Sequence, residues 1–599
     1  MLRRLWLGAG AVAVFAPLAR DLAPPGLAGL GLSNAQFLAF ELALALVAVF
    51  ARQAARKGGG TSALLALAAA LAGLWTVRFL GTDRAVFLPH DADVVAAALF
   101  LVAAVLFAAG LSGGRPIALL AGVALVAGYA GPLFVPQGAA PMPLASYASY
   151  LAFGSEGLLG RALDIMVTPV LAFVVFGAFF EASGGAEALA RVALRRAAQS
   201  RSGAIKACIL ASGLFGAISG TAIANVMTTG AFSIPAMRRI GVRAETAAGI
   251  EAAASTAGQV MPPVMGAAAF LLADFVGLPY ATVALASLLP ALFVYLAMFR
   301  QADLVPLSDA GADAPPPPAE PLPARLALHL LPPGLLVLLL AGFELQPDRA
   351  ALAGALACIG VGLVLGGPRA LRAALRAGLG RLVGTGLQLL VIAGAMGLVL
   401  GVLNATGLAV AVAVGLSALG QHSLVLALAL AGAAAFLLGM GMATVGVYVL
   451  AAALIAPGLI EAGVPPLAAH LFVLYCGILS MLTPPVALAS LAASALAKAD
   501  FAATARAALR FGWVLFAMPF AIVARPGLVG LGGSVAVGQA IAVTLVFLLA
   551  ATQPGLRPVP RAGLAGLALG AVVWPGADWV SLAASALVAA VLLARRRSG

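Results

Sequence analysis

Two uncharged runs, Val94–Leu111 and Leu424–Ala443, decide most of what this chain can be. Each holds about 18 or more apolar residues, which as a helix crosses the roughly 30 Å of bilayer hydrocarbon. Similar blocks recur along the whole sequence. Only 9% of the residues are charged and 63% are hydrophobic, against about 25% charged in a soluble domain. A soluble protein so composed would expose apolar patches and aggregate. The fold class is therefore an all-α polytopic membrane protein.

The formal charge of +13 would suit nucleic acid, but its placement does not. Lys and Arg sit in short loops between apolar blocks and form no aromatic-interleaved patch. Basic loops of this kind stay cytoplasmic. The expected surroundings are a lipid bilayer, with no nucleic acid. Cys208, Cys358 and Cys476 lie in apolar segments without metal or redox spacing and read as small buried residues. The four histidines are scattered and form no HExxH-like pair. Arg3 and Arg4 precede an apolar run to Leu18, which reads as an uncleaved first span rather than a signal peptide.

A first module at 1–135 carries spans near 5–20, 36–51, 62–80, 92–110 and 116–131. A loop at 136–163 follows, in a stretch rich in proline (Pro132, Pro136, Pro141 and Pro143). The main module opens at 164 with a span near 165–181 and a basic amphipathic stretch, 184–201, suited to the interface. Interrupted segments at 203–236 and 244–276 and a span at 280–299 complete a first repeat, 164–300. A proline-rich cytoplasmic linker, 301–324, contains Pro315 through Pro318. A second repeat, 325–525, has spans at 326–342 and 350–366, a basic stretch at 369–381, a span at 383–403 and a stretch at 405–420. Interrupted segments at 422–460 and 466–496 follow. Helices at 526–599 close the chain.

The segments 203–236 and 422–460 are read as re-entrant hairpins with the N-terminus inside. All Lys and Arg except Arg20, Arg78, Arg84, Arg161, Arg349 and Arg525 then fall on the cytoplasmic side. Both termini are then cytoplasmic. The two repeats contain the same parts in the same order: a span, an interfacial stretch, a hairpin broken by small residues, and a helix broken by a Pro-Pro pair. The first runs through SGTAIANV (219–226) and STAGQVMPPVMG (255–266). The second runs through GMGMATVGVYV (439–449) and SMLTPPVALAS (480–490). Inverted repeats with interrupted helices mark secondary transporters whose site lies at the bilayer midplane.

Unpaired backbone groups in hydrocarbon cost several kcal/mol each, so broken helix at that depth must line a cavity or be buried in protein. A single break can serve packing alone; four in matched order point to a site. Hydroxyls and carbonyls are hard oxygen ligands suited to sodium. Half-helix N-termini favour a carboxylate. The candidate sodium ligands are Ser219, Gly220, Asn225, Gly258, Met261, Gly439, Thr444, Thr483 and Pro484. The candidate substrate contacts are Ser219, Thr221, Asn225, Thr256, Pro262, Thr444 and Thr483. No Lys or Arg lies near a break, so an anion would depend on dipoles, amides and Asn225. Glu251, within the first broken helix, costs about 2.5–3.5 kcal/mol to insert and is a candidate coupling carboxylate or a satisfied structural partner. Asp274 is expected near the outer interface.

The runs 214–241 and 248–275, and the second-half run 439–489, resemble the hairpins and broken helices of TRAP transporter large permease subunits over roughly 150–520. The preceding module resembles, by layout, the small subunit fused in front in the family's four-plus-twelve-span type. The resemblance implies sodium symport by an elevator-type movement. It also implies a separate periplasmic binding protein of the TAXI class, a small carboxylate or C4-dicarboxylate substrate, and an inner-membrane location. No cofactor is expected, only sodium as the coupling ion. The sequence departs from the family's pattern at Ala443, where proline is usual, and at Thr221, where serine is common. A stand-alone carboxylate carrier is the alternative, and the N-terminal module argues against it. An integral-membrane enzyme would need clustered His, Asp, Glu or Cys, which the sequence lacks, and no Walker motif occurs.

Overall fold

The computed structural model describes residues 2–22, 32–57, 60–82, 91–112, 115–130, 142–188, 201–306 and 324–551. Among these, every regular element is helical, and eight helices are long and apolar enough to cross a bilayer. The basic stretch with Arg191, Arg195 and Arg196, most of the proline-rich linker, and the blocks beyond 551 lie outside the described residues.

Contacts divide the chain into two compact units, and neither follows the linear order of the segments. The first takes residues 1–184 and 329–412; the second takes 185–328 and 413–599. Each unit thus draws on both halves of the internal repeat.

The first unit contains α1 (Leu2–Leu22), α2 (Asn34–Lys57), α3 (Gly60–Phe79), α4 (Ala92–Leu111) and α5 (Arg115–Ala130). It continues with α6 (Leu144–Phe153), α7 (Arg161–Ala182), α8 (Leu331–Val337, continued by a π-turn to Gly342) and α9 (Pro347–Thr406). The proline-rich loop expected at 136–163 contains α6, because Pro143 stands at its N-cap and the apolar residues after it are free of proline. The basic stretch and the following span are continuous in α9. Its only interruption is Gly367, at φ 75° and ψ 168°, followed by Pro368. Glycine adopts that backbone without a Cβ penalty and proline cannot continue a helix through its N–H. The later part of α9, from Leu382 to Leu403, is buried almost all round, as a helix apolar on every face must be. It packs against α1, α2, α4, α5 and α7. Glycines let these neighbours come close. A methyl on Gly397 would sit 2.4 Å from the Gly157 carbonyl oxygen. By contrast α3 presents Leu64, Leu67, Leu71 and Leu74 on an exposed apolar face, as a lipid-facing helix does.

The second unit holds α10 (Arg201–Ser219) and α11 (Ala222–Arg239), then α12 (Ala244–Ala257), α13 (Ala267–Val276) and α14 (Tyr280–Ala302). After the end of α15 (Leu408–His422) come α16 (Leu424–Leu438), α17 (Thr444–Leu454), α18 (Ala456–Glu461), α19 (Pro466–Ile478) and α20 (Leu488–Ala497). Next are α21 (Phe501–Phe511), α22 (Trp513–Ala524) and α23 (Gly533–Ala551). The two hairpins are α10–α11 and α16–α17. The two broken helices are α12–α13 and α19–α20. Cys208, Cys358 and Cys476 are all buried free thiols. At the edge of this unit Lys206 Nζ and Asp303 Oδ1 pair at 2.6 Å, both about one-third exposed. Burial alone would raise the Asp303 carboxyl, but hydrogen bonds from Lys206 and Ser202 and the charges of Lys206 and Arg300 hold it below its ordinary range.

Candidate functional site

Each hairpin tip closes on one helix break, and glycine makes the closure possible. In the first pair α10 ends at Ser219, Gly220 turns at φ 68°, and α11 starts at Ala222. A methyl on Gly258 would lie 2.7 Å from the Gly216 Cα, so this contact is backbone on backbone. The Val264 N–H donates to the Ala217 carbonyl at 3.0 Å, and Gly266 N–H to the Gln259 carbonyl at 2.9 Å. Tyr280 Oη donates to the Pro263 and Val264 carbonyls at 2.9 and 2.5 Å. The break's freed acceptors are thus largely recaptured, as buried backbone requires.

The second pair repeats the arrangement. Gly441 turns at φ 79°, and a methyl on Gly439 would lie 2.7 Å from the Gly477 carbonyl oxygen. Ser480 Oγ reaches the Gly439 and Gly477 carbonyls, both at 2.8 Å. Both Pro-Pro bonds, Pro262-Pro263 and Pro484-Pro485, are cis. Ala443, at the N-cap of α17, has φ −68° and ψ 146°. That φ is the one proline imposes, so Ala443 holds a backbone that proline could also take.

The expected site residues gather at these junctions with different duties. Ser219 Oγ is buried and has no partner. Thr221 is exposed at the N-cap of α11 and makes no side-chain cap bond. Asn225 is fully buried, and both ends of its amide are used. Nδ2 donates to the Ser212 carbonyl at 2.8 Å, and Oδ1 accepts from Thr229 at 3.0 Å. As placed, it braces the hairpin instead of offering an N–H outward. Thr256 Oγ1 bonds back to the Ala252 carbonyl, and Thr483 Oγ1 to the Leu479 carbonyl. Gly258 and Gly439 are buried, Gly220, Met261 and Pro262 are half-buried, and Pro484 is exposed. Asp274, expected near an interface, is exposed.

Glu251 is buried and satisfied by hydroxyls from three helices. Ser212 on α10 lies 3.1 Å from Oε1, Ser255 on α12 is 3.0 Å from the same oxygen, and Thr229 on α11 also donates to it. Ser233 donates to Oε2 at 2.5 Å. The hydroxyls leave neither carboxyl oxygen without a partner. The signal was present as helical spacing: Asn225, Thr229 and Ser233 share one stripe of α11, and Ser255 lies one turn beyond Glu251.

Sequence reasoning passed over Gln259. It follows Gly258 in the first break and is 2% exposed. Its Oε1 accepts from Thr444 Oγ1, in the second hairpin's tip, at 2.5 Å. Its Nε2 is buried with no partner. An orphaned buried donor costs about 1–3 kcal/mol. Gln259 thus joins the two repeats and keeps an unused N–H.

Paired hairpins closing on paired broken helices, in one compact helical unit, make this a polytopic membrane protein of the secondary-transporter class. Comparison with known families matches residues 92–528 to the DctM component of the tripartite ATP-independent periplasmic transporters, and the chain belongs to that family. It is the multi-pass membrane permease of such a system, which works with a periplasmic substrate-binding protein on a small substrate. A search of curated proteins finds no match to the sequence. The matched stretch begins at residue 92 and so includes α4 and α5, which the sequence reading placed in the N-terminal module.

Proposed function

We propose that this permease imports a small organic acid, as its carboxylate, by sodium symport, and that a separate periplasmic protein of the TAXI class delivers it. The observation that carries the reading is the closure of both hairpin tips on both helix breaks within one unit, with Thr444 and Gln259 joined across the repeats. Oxygen ligands predominate there, and Ser219 Oγ is buried without a partner, which suits a hard cation. Four half-helix N-termini and the absence of nearby Lys or Arg suit an anion held by dipoles and neutral donors. In this reading the hairpin-bearing unit carries the site across the bilayer as an elevator. Both termini are cytoplasmic, and the helices ahead of residue 92 stand where a fused small subunit would.

Uptake in proteoliposomes tests this directly, with and without a sodium gradient and with and without the binding protein. Dependence on both is expected; indifference to both removes the reading. Ser219→Ala with Thr221→Ala should abolish uptake while leaving the protein inserted, and wild-type uptake by that variant would refute the site.

A further inference from the structure

The geometry points to Gln259 as the side chain that donates a hydrogen bond to the carboxylate of the carried substrate, with Thr444 as the positioning residue that aims it. This inference rests on the carboxylate reading above and adds a residue to it.

The argument is one of elimination among amide donors. Asn225, the obvious candidate, spends Nδ2 on the Ser212 carbonyl and Oδ1 on Thr229. Among the described residues of the second unit, Gln259 Nε2 is the buried side-chain amide N–H without a partner. It lies in the short 3₁₀ turn Gly258–Val260, where α12 gives up regular helix. The chain there is already committed: the Gln259 carbonyl accepts from Gly266, and Gly258 is packed on Gly216. The side chain is therefore anchored at its root and held at its oxygen by Thr444.

That hold sets the chemistry. A hydroxyl proton on Oε1 takes one of its lone pairs and fixes which way round the amide lies, so the end left wholly unpartnered is N–H, which suits an anion. Glutamine here gives what an arginine cannot in hydrocarbon: a donor for a carboxylate without a permanent charge to move across the bilayer. In the second repeat the matching 3₁₀ turn is Leu479–Met481, whose central residue is Ser480, and its hydroxyl is spent on the Gly439 and Gly477 carbonyls. So the donor is a single, asymmetric feature of an otherwise repeated frame, as recognition of one ligand needs.

The test uses the purified full chain in detergent and follows its melting temperature against the sodium salts of acetate, pyruvate, succinate and 2-oxoglutarate. Sodium and ionic strength are held constant with chloride. At least one acid should raise the wild-type melting temperature. Gln259→Met, which keeps the shape and removes the N–H, should need on the order of tenfold to a hundredfold more of that acid for half the shift. Gln259→Glu should lose the shift. If none of the four acids moves the wild type, the carboxylate reading falls and this inference with it. If an acid stabilises wild type and Gln259→Met alike, or if Gln259→Glu responds more strongly, Gln259 is not the donor and the carboxylate reading stands. Should Gln259→Met fail to fold, Thr444 answers instead. Thr444→Val frees the amide to turn over and should weaken the response, while Thr444→Ser should match wild type; wild-type behaviour by both would overturn the assignment.

Discussion

The two hairpin–break pairs of the second unit share a backbone and differ in what they bury. Counting from the turning glycines, Asn225 lies as far beyond Gly220 as Gly446 lies beyond Gly441. Glu251 likewise precedes Pro262 by the interval that separates Val473 from Pro484, so neither place in the second pair carries a polar side chain. The first pair holds an acid ringed by Ser212, Thr229, Ser233 and Ser255. The second holds one neutral contact, Tyr448 Oη to His470 Nδ1 at 2.8 Å, against the ring of Phe275. The repeat therefore conserves where the chain breaks and leaves the surrounding chemistry free. Among the described residues the acidic network belongs to one pair only, and damage there should cost more.

The largest effect is expected from Glu251→Ala, which strands several buried hydroxyls at once and opens a cavity; about 2–4 kcal/mol of stability should be lost. Thermal unfolding of the purified protein measures it, and Glu251→Gln, which keeps an acceptor oxygen, should lose less. Next come Gly258→Ala and Gly439→Ala, each forcing a methyl against backbone at 2.7 Å. Each should cost about 1–3 kcal/mol, and similar losses from the two would sharpen the equivalence of the pairs. Tyr448→Phe removes a single neutral hydrogen bond and should cost about 0.5–1.5 kcal/mol. A loss equal to that of Glu251→Ala would break the asymmetry drawn above. The smallest effect belongs to Lys206→Met, whose partner Asp303 is about one-third exposed; about 0–1 kcal/mol is expected. Because the Asp303 carboxyl sits below its ordinary range, the pair's contribution is present at neutral pH. It fades as pH falls through the carboxylate range, a trend that high salt should flatten.

The breaks were legible because glycine and Pro-Pro inside an apolar run leave few other readings. Ser219-Gly220-Thr221, Met261-Pro262-Pro263, Gly439-Met440-Gly441 and Thr483-Pro484-Pro485 all interrupt helix where the sequence said they would. Partnership was much less legible. Ser212, Thr229 and Ser233 stand far from Glu251 in sequence and meet it only because α10 and α11 fold back together on α12. Gln259 was missed because a lone amide in a helix break carries no pattern; its meaning lies in Thr444, 185 residues away. The division of the chain into two units was hidden for a related reason. Hydropathy marks what crosses the bilayer, while the unit a helix joins is decided by which small residues face which neighbours.

The glycine face of α9 has a consequence for how such a protein can be made. A methyl on Gly10 of α1 would meet the Val383 side chain at 2.4 Å, and one on Gly386 would meet Val14 at 2.5 Å. Helices upstream of residue 92 are thus seated directly on the central helix of the family-matched region. A version cut into two polypeptides near that point would leave an apolar furrow along α9 with no helix in it. The two pieces would have to find each other in the lipid before either was finished. Joining them in one chain makes that search unnecessary, because the tether keeps the partner always at hand.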